Sequence, residues 1–440
     1  MRTRRALVLA FPVLLAVAFE PAHAQRTKTD HQIAYYQTLL ERNPRSAKTY
    51  FGLGDALIRK ARETGDQSYF SRAEQALKKS LAIMPQNGGA LRHLAYVFYS
   101  RHEFALAAAY ARKAVEINPA DADSYGVLGD ALLEVGQYAE AQAAYSTMIE
   151  LDESLYSYSR LAGLKSMRGD AAGAINDLKR AMAAGKALTQ PAESIAWAEW
   201  QLGSDYFAIG NLQEAENYYQ QSLKTYPNYY RSLAGMAQVR AAQKRYDDAI
   251  ELYRKAMAIL PMPEYAAALG DIYSKIEQPE KTRQQYELVE YIGKLSDVRD
   301  GRERPLLYNR EMAYFYADHD IKVSAALDLA RRELDYRKDV YAYDLLAWSL
   351  HKNNKNEEAR DAIEKALRLG TKDAKLFYHA GMIYRALGAK EKAAEFLSRA
   401  IHTNPHFHPI FADSAGRTLK QLESEIQQAR ATREGEHDEG

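Results

Sequence analysis

Apolar residues recur along this chain at i, i+3, i+4 and i+7, the stripe of an amphipathic helix rather than the alternation of a half-buried strand. The stripes come in pairs. Between Gly88 and Asp121, Leu91, Leu94, Ala95 and Phe98 mark one helix, Ala107, Ala111 and Ala114 mark a second, and Pro119 marks a stop. The frame returns 34 residues later in Tyr125, Leu128, Gly129, Leu132, Gly136, Tyr138, Ala141, Tyr145 and Met148. Near the C-terminus it gives Phe377, Ala380, Gly381, Tyr384, Gly388, Ala393, Leu397, Ala400 and Pro405. Small residues on both helices of a pair permit close approach, and large ones fill the gaps. A pair that cannot bury its own apolar face must stack on its neighbours. The pattern predicts an all-α protein, an α-α solenoid with almost no strand.

An aromatic, then Leu-Gly, Tyr, Ala, an aromatic, Ala and Pro is the order in which these residues fall. In that order the chain resembles tetratricopeptide-repeat (TPR) proteins, which implies a right-handed superhelix of helix hairpins. The register starts repeats at residues 47, 88, 122, 155, 196, 230, 263, 306, 340 and 374. Extra length falls at Ala61–Phe70, Ala184–Ser194 and Asp297–Pro305. Residues 25–46 read as a half-repeat with a helix over 31–43, 47–297 as repeats 1–7 and 306–407 as repeats 8–10. The charged stretch 298–305 between them, with Gly301 and Pro305, reads as a hinge. Residues 408–428 predict a closing amphipathic helix, and 429–440 a disordered tail. Gly136, Gly169, Gly210 and Gly388 are expected to end first helices in the left-handed conformation. Pro85, Pro119, Pro227, Pro261 and Pro405 are expected to stop second helices.

Residues 1–24 have the pattern of a secretory signal peptide: Arg2, Arg4 and Arg5, an apolar run from Ala6 to Phe19, and Ala22-His23-Ala24 before a cleavage point at Gln25. Fourteen apolar residues fall short of the roughly 20 that span a bilayer. The expectation is an exported chain, periplasmic or secreted, with no transmembrane anchor after cleavage.

Composition narrows the chemistry. Lys plus Arg is 59 against 58 for Asp plus Glu, so no charge bias toward nucleic acid or acidic lipid exists, and no nucleic-acid partner is expected. Cysteine is absent, which excludes disulfides, thiolate metal sites and a cysteine nucleophile. Tyr outnumbers Phe 32 to 12, as suits rings half-buried with a polar end. No phosphate loop, HExxH or GxSxG motif occurs. Gly52-Leu53-Gly54 lacks the third glycine of a dinucleotide fingerprint and reads as first-helix packing. His402, His406 and His408 could hold a transition metal, which gives a metal-carrier reading; the alternative is that they decorate the last turn. No enzyme activity and no cofactor are expected.

The TPR resemblance further implies that first helices line a concave groove, with ligand contacts from positions 2, 5, 9, 12 and 13 of each repeat. Carried onto this chain, these positions give Arg92, Tyr96 and Tyr99; Trp197, Trp200 and Phe207; Arg310 and Tyr314; Tyr341, Trp348 and His351; and Tyr378, Met382 and Arg385. All three tryptophans fall in the set. Arg92/Tyr96 and Gly126/Asp130 replace the Lys and Asn of a carboxylate clamp, so recognition of a chaperone tail is not implied. The reading is a non-catalytic exported scaffold for a protein or peptide partner. The alternative is a structural part of an envelope assembly for secretion or polysaccharide export.

Overall fold

The computed structural model describes residues 27–64, 66–300 and 309–438. The signal-peptide segment 1–24 lies outside them. Helix α1 (Lys28–Arg42) leads into ten antiparallel hairpins. The first five are α2 (Ala47–Thr64) with α3 (Ser68–Ile83), α4 (Gly88–Ser100) with α5 (Phe104–Ile117), α6 (Ala122–Glu134) with α7 (Tyr138–Leu151), α8 (Leu155–Met167) with α9 (Ala171–Ala187), and α10 (Ala192–Ala208) with α11 (Leu212–Thr225). Then come α12 (Tyr230–Ala242) with α13 (Tyr246–Ile259), α14 (Pro263–Lys275) with α15 (Pro279–Asp300), and α16 (Asn309–Asp318) with α17 (Val323–Glu333). Hairpins α18 (Val340–Lys352) with α19 (Asn356–Leu367) and α20 (Ala374–Ala386) with α21 (Lys390–Thr403) complete the array, and α22 (Phe411–Asp438) closes it. Among the described residues there is no strand. The chain is an all-α solenoid.

Local chemistry sets the boundaries. Thr27 opens α1 three residues ahead of the expected start, because its hydroxyl accepts the Asp30 N–H (3.3 Å) while the Asp30 carboxylate accepts the Thr27 N–H (2.9 Å). First helices end in left-handed residues: Gly136, Gly169, Gly210 and Gly388 have φ of 77°, 74°, 76° and 74°. His102, Lys244, Glu277 and Asn354 occupy the corresponding turns with φ near 60°, where a side chain costs roughly 1–2 kcal/mol. The expected prolines each lie two residues beyond the end of α3, α5, α11, α13 or α21. The added segments are taken up largely as helix: α2 has 18 residues, α9 and α10 have 17 each, and α15 has 22. Residues 298–300 of the expected hinge are the end of α15, and 301–308 lie outside the described residues. The expected tail needs correction. The helix does not stop at 428 but runs to Asp438, since Ala, Arg and Glu dominate this stretch and no proline interrupts it.

Tyrosine explains much of the packing between paired helices. The Tyr145 ring lies across Gly129, where a Cβ would come within 2.3 Å of it, and its hydroxyl donates to the neighbouring Asp130 (2.9 Å). Tyr219 and Tyr286 repeat the device, donating to Ser204 (3.3 Å) and Asp271 (2.9 Å). Each ring fills the core while each hydroxyl emerges beside a polar residue of the first helix.

The solenoid closes on itself at a stride of six repeats. The loop before α18 rests on the α6–α7 turn of repeat 3: Lys338 N–H donates to the Glu134 carbonyl (2.9 Å), Val340 N–H to the Tyr138 hydroxyl (2.9 Å), and Arg337 Nε to the Glu134 carboxylate (2.7 Å). Thr371, before α20, donates to the Met167 carbonyl of repeat 4. Asn404, before α22, donates to the Phe207 carbonyl of repeat 5 (2.8 Å). Each such bond is worth about 1 kcal/mol net. Glycine is needed here twice over: a Cβ on Gly136 would sit 2.5 Å from the Lys338 carbonyl oxygen, and one on Gly169 2.4 Å from that of Gly370. Repeats 8–10 thus form a second coil seated on the first.

Candidate functional site

Inside the first coil, α4, α6, α8 and α10 present their inner faces to a cavity of about 650 Å³, and Arg62 of α2, Tyr145 of α7, Tyr229 before α12 and Tyr341 of the second coil complete its wall. Its size is that of a ligand site. Aromatic rings supply much of the lining: Tyr99, Tyr145, Tyr156, Trp197, Tyr229 and Tyr341. The floor is open at Gly163 in mid-α8, where an added Cβ would meet nothing within 4 Å. One wall carries a bidentate ion pair in which Arg160 donates to both oxygens of Asp130 at 2.9–3.0 Å. At the far end Asp205 accepts from Gln201 Nε2 (3.1 Å) and Ser166 Oγ (3.2 Å). Burial raises the Asp205 carboxyl to about 6, against the two hydrogen bonds that favour its ionised form.

Of the residues expected in the groove, Tyr99, Trp197 and Tyr341 line this cavity. Tyr99 donates to Glu134 (3.4 Å). Trp200 lies 6.3 Å from Trp197 and carries the Arg231 guanidinium over its ring at 5.1 Å. Phe207 belongs to a separate, smaller cavity of about 250 Å³ beside Pro405 and His406. Arg92 is engaged by Asp121 (2.7 Å) and Asp123 (3.1 Å), and Tyr96 packs edge-on against Phe70.

The second coil differs. Trp348 is 1% exposed and Tyr378 4%, so neither is open to a visitor, contrary to the sequence expectation. Trp348 stacks on His379 at 4.2 Å and donates Nε1–H to Asp318 (2.9 Å); Tyr378 stacks on Phe411 of the closing helix at 5.1 Å. The repeat register places these residues on the first helices α18 and α20. It does not say how wide the trough is there, and in repeats 8–10 the inner faces meet. Tyr314 donates to Asp344 (2.7 Å), Arg310 is held by Glu333 and Asp339 at 2.9 Å each, and His351 stacks on Trp348. Met382 is half-buried, and Arg385 is exposed.

His402 and His408 turn to different partners, while His406 lines the small cavity beside His408. His402 turns back to the Ser398 carbonyl (2.8 Å). His408 accepts the Ile410 and Phe411 N–H groups on Nδ1, which leaves the proton on Nε2, 3.2 Å from Asp271. Among the described residues no three His, Asp or Glu side chains converge as metal ligands would. Asp271 also faces His319, whose two ring nitrogens point at acceptors, the Phe315 carbonyl and Asp271 at 2.7 Å each. Burial opposes the charge on His319, but the hydrogen bond to Asp271 outweighs it and raises the His319 pKa.

Tyr156, Ser159, Gly163 and Ser166, at positions 2, 5, 9 and 12 of repeat 4, line the cavity too, although the expected groove set takes no residue from that repeat. Arg160 and Asp205 lie outside the five positions, so no repeat-frame signal marks them.

Family profiles described as tetratricopeptide repeat match residues 60–122, 110–143, 153–228, 194–262 and 345–406. Together they cover more than half of the chain, and it belongs to the TPR family. No curated protein matches its sequence. Among solved structures, the human IFIT1 dimer with m7Gppp-AAAA is similar at TM-score 0.48 and 17% identity, over 78% of this chain and 76% of that one. The APC/C hetero-tetramer Cut9-Hcn1 is similar at 0.37 and 16%, over 89% and 81%. Pseudomonas aeruginosa PilF is similar at 0.39 and 17%, over 47% and 91%.

Proposed function

We propose that this TPR protein is a non-catalytic scaffold that holds a segment of a protein partner in the first-coil cavity. The observation that carries the reading is the contrast between coils. One repeat frame produces closely packed inner faces in repeats 8–10, with Trp348 and Tyr378 buried, and an aromatic-lined hollow open at Gly163 in repeats 2–5. A preformed hollow on rigid helices keeps the ordering cost on the guest alone. The export expectation belongs to the same proposal: no helix among the described residues is long and apolar enough to cross a membrane, and the mature chain should begin at Gln25.

Photo-crosslinking in the native host tests it. A crosslinker at Tyr156, on the cavity rim and 39% exposed, should capture a defined segment that one at Tyr35, 60% exposed on α1, does not. That segment, made as a free peptide, should change the fluorescence of Trp197. Identical capture from both positions, or a peptide with no effect on Trp197, would overturn the reading.

A further inference from the structure

Among the described residues seven Asp or Glu residues are buried as a whole: Asp177, Glu199, Asp205, Asp271, Glu333, Asp339 and Asp344. Six of them have a basic nitrogen within ion-pair distance. Lys165 serves Asp177 and Lys186 serves Glu199; His319 and His408 share Asp271. Arg310 reaches both Glu333 and Asp339, and His379 serves Asp344. The exception is Asp205. It is 9% exposed, and among the described residues its only hydrogen-bond donors are the neutral Gln201 and Ser166, and no Lys, Arg or His nitrogen lies within 4.0 Å of it. A buried carboxylate without a counter-ion is costly. Among these seven, the one that lacks it lines the cavity.

The structure assigns the missing cation to the guest: we propose that the bound segment carries a lysine or arginine whose charged end seats on Asp205. This rests on the reading of the cavity as a peptide site. The second coil supplies an internal precedent, since the Lys375 ammonium lies 2.6 Å from Asp318 and 4.6 Å from the centre of the Tyr314 ring. There the chain provides its own cation to a carboxylate and an aromatic face; in the first coil it does not. Eight residues of α10 separate Trp197 from Asp205, about 12 Å at 1.5 Å per residue. An extended guest of about four residues covers that span. Its cationic side chain would lie past Gln201 over the open floor at Gly163, with a neighbouring apolar or aromatic residue on Trp197. The raised Asp205 pKa agrees with a charge that waits for a partner.

The test uses a positional-scanning library of ten-residue peptides against three full-length proteins: wild type, Asp205→Asn and Gly163→Leu. In the last of these the new Cβ meets nothing within 4 Å and leucine raises helix propensity, so the isobutyl group should narrow the cavity floor with little cost to the helix. The expected result is that wild type retains peptides that Gly163→Leu does not, and that Lys or Arg dominates one position. Replacing that residue by norleucine should weaken binding at least ~10-fold in wild type and under ~2-fold in Asp205→Asn, the coupling of a direct pair. Peptides blocked by Gly163→Leu but indifferent to Lys or Arg would overturn this inference and leave the cavity's role standing, as would a basic preference undiminished in Asp205→Asn. If no peptide distinguishes wild type from Gly163→Leu, the proposed function falls and takes the inference with it.

Discussion

Replacing Trp348 by alanine separates the two coils' uses of the same repeat position. Trp348 is 1% exposed, with His379 stacked on one face and Lys352 4.8 Å from its ring centre. A buried tryptophan hides roughly 200 Å², which at about 25 cal/mol per Å² is roughly 5 kcal/mol; incomplete relaxation around the hole puts the cost at about 3–5 kcal/mol. Losing the indole N–H adds little, because Asp318 keeps Lys375 at 2.6 Å. Trp197 is half-buried against the cavity, so Trp197→Ala should cost about half as much or less, roughly 1–2 kcal/mol. Urea denaturation followed by far-UV circular dichroism measures the difference. Because solenoid contacts are between neighbours, hydrogen exchange should localise the Trp348→Ala loss to α16, α18 and α20. A Trp348→Ala loss below about 1 kcal/mol, or equal losses at the two sites, would refute the assignment of one tryptophan to packing and the other to the cavity.

Asp205 has a folded pKa of about 6 against 3.8 for the free group. Its protonated form is favoured by folding, so stability falls as pH rises from 3.8 through 6, by roughly 3 kcal/mol in all. Asp205→Asn should therefore match wild type near pH 4 and be more stable by about that amount at pH 8; a pH-independent difference would contradict the burial argument. Gly388 has φ of 74° with nothing within 4 Å of an added Cβ, so Gly388→Ala should cost only the left-handed strain, about 1–2 kcal/mol. Gly136→Ala adds a collision with Lys338, and should cost clearly more and raise the radius of gyration in solution scattering; equal effects at the two glycines would argue that the coils do not touch.

The repeat frame made the fold legible because it rests on local rules. Small residues at helix crossings, left-handed glycines and prolines past helix ends each act within a few residues of where they are written. First helices open at Ala47, Gly88, Ala122, Leu155, Tyr230, Pro263, Val340 and Ala374, while α10 opens at Ala192, four residues before the register's 196. Pro191 is the N-cap there, and its carbonyl accepts the Ser194 and Ile195 N–H groups at 2.9 and 3.2 Å. The site was legible only in part. Tyr99 and Trp197 follow from position and residue type. Asp205 does not, because its interest lies in a missing counter-ion, and an absence of that kind is visible only when every neighbour is placed.

The width of the trough was equally hidden, and it decides which inner residues can bind anything. It depends on contacts some 200 residues apart: Arg337 with Glu134, Val340 with Tyr138, Thr371 with Met167, and Asn404 with Phe207. None of these pairs belongs to the repeat consensus. They arise because six repeats complete a turn and bring loops of the second coil onto helix ends of the first. Once seated, the second coil carries its inner aromatics against one another and against α22, so Trp348 and Tyr378 stack on His379 and Phe411 instead of facing solvent. The same seating places Tyr341 against the first-coil cavity. The second coil thus walls the hollow that it does not itself contain, and a guest in that hollow would touch residues from both coils.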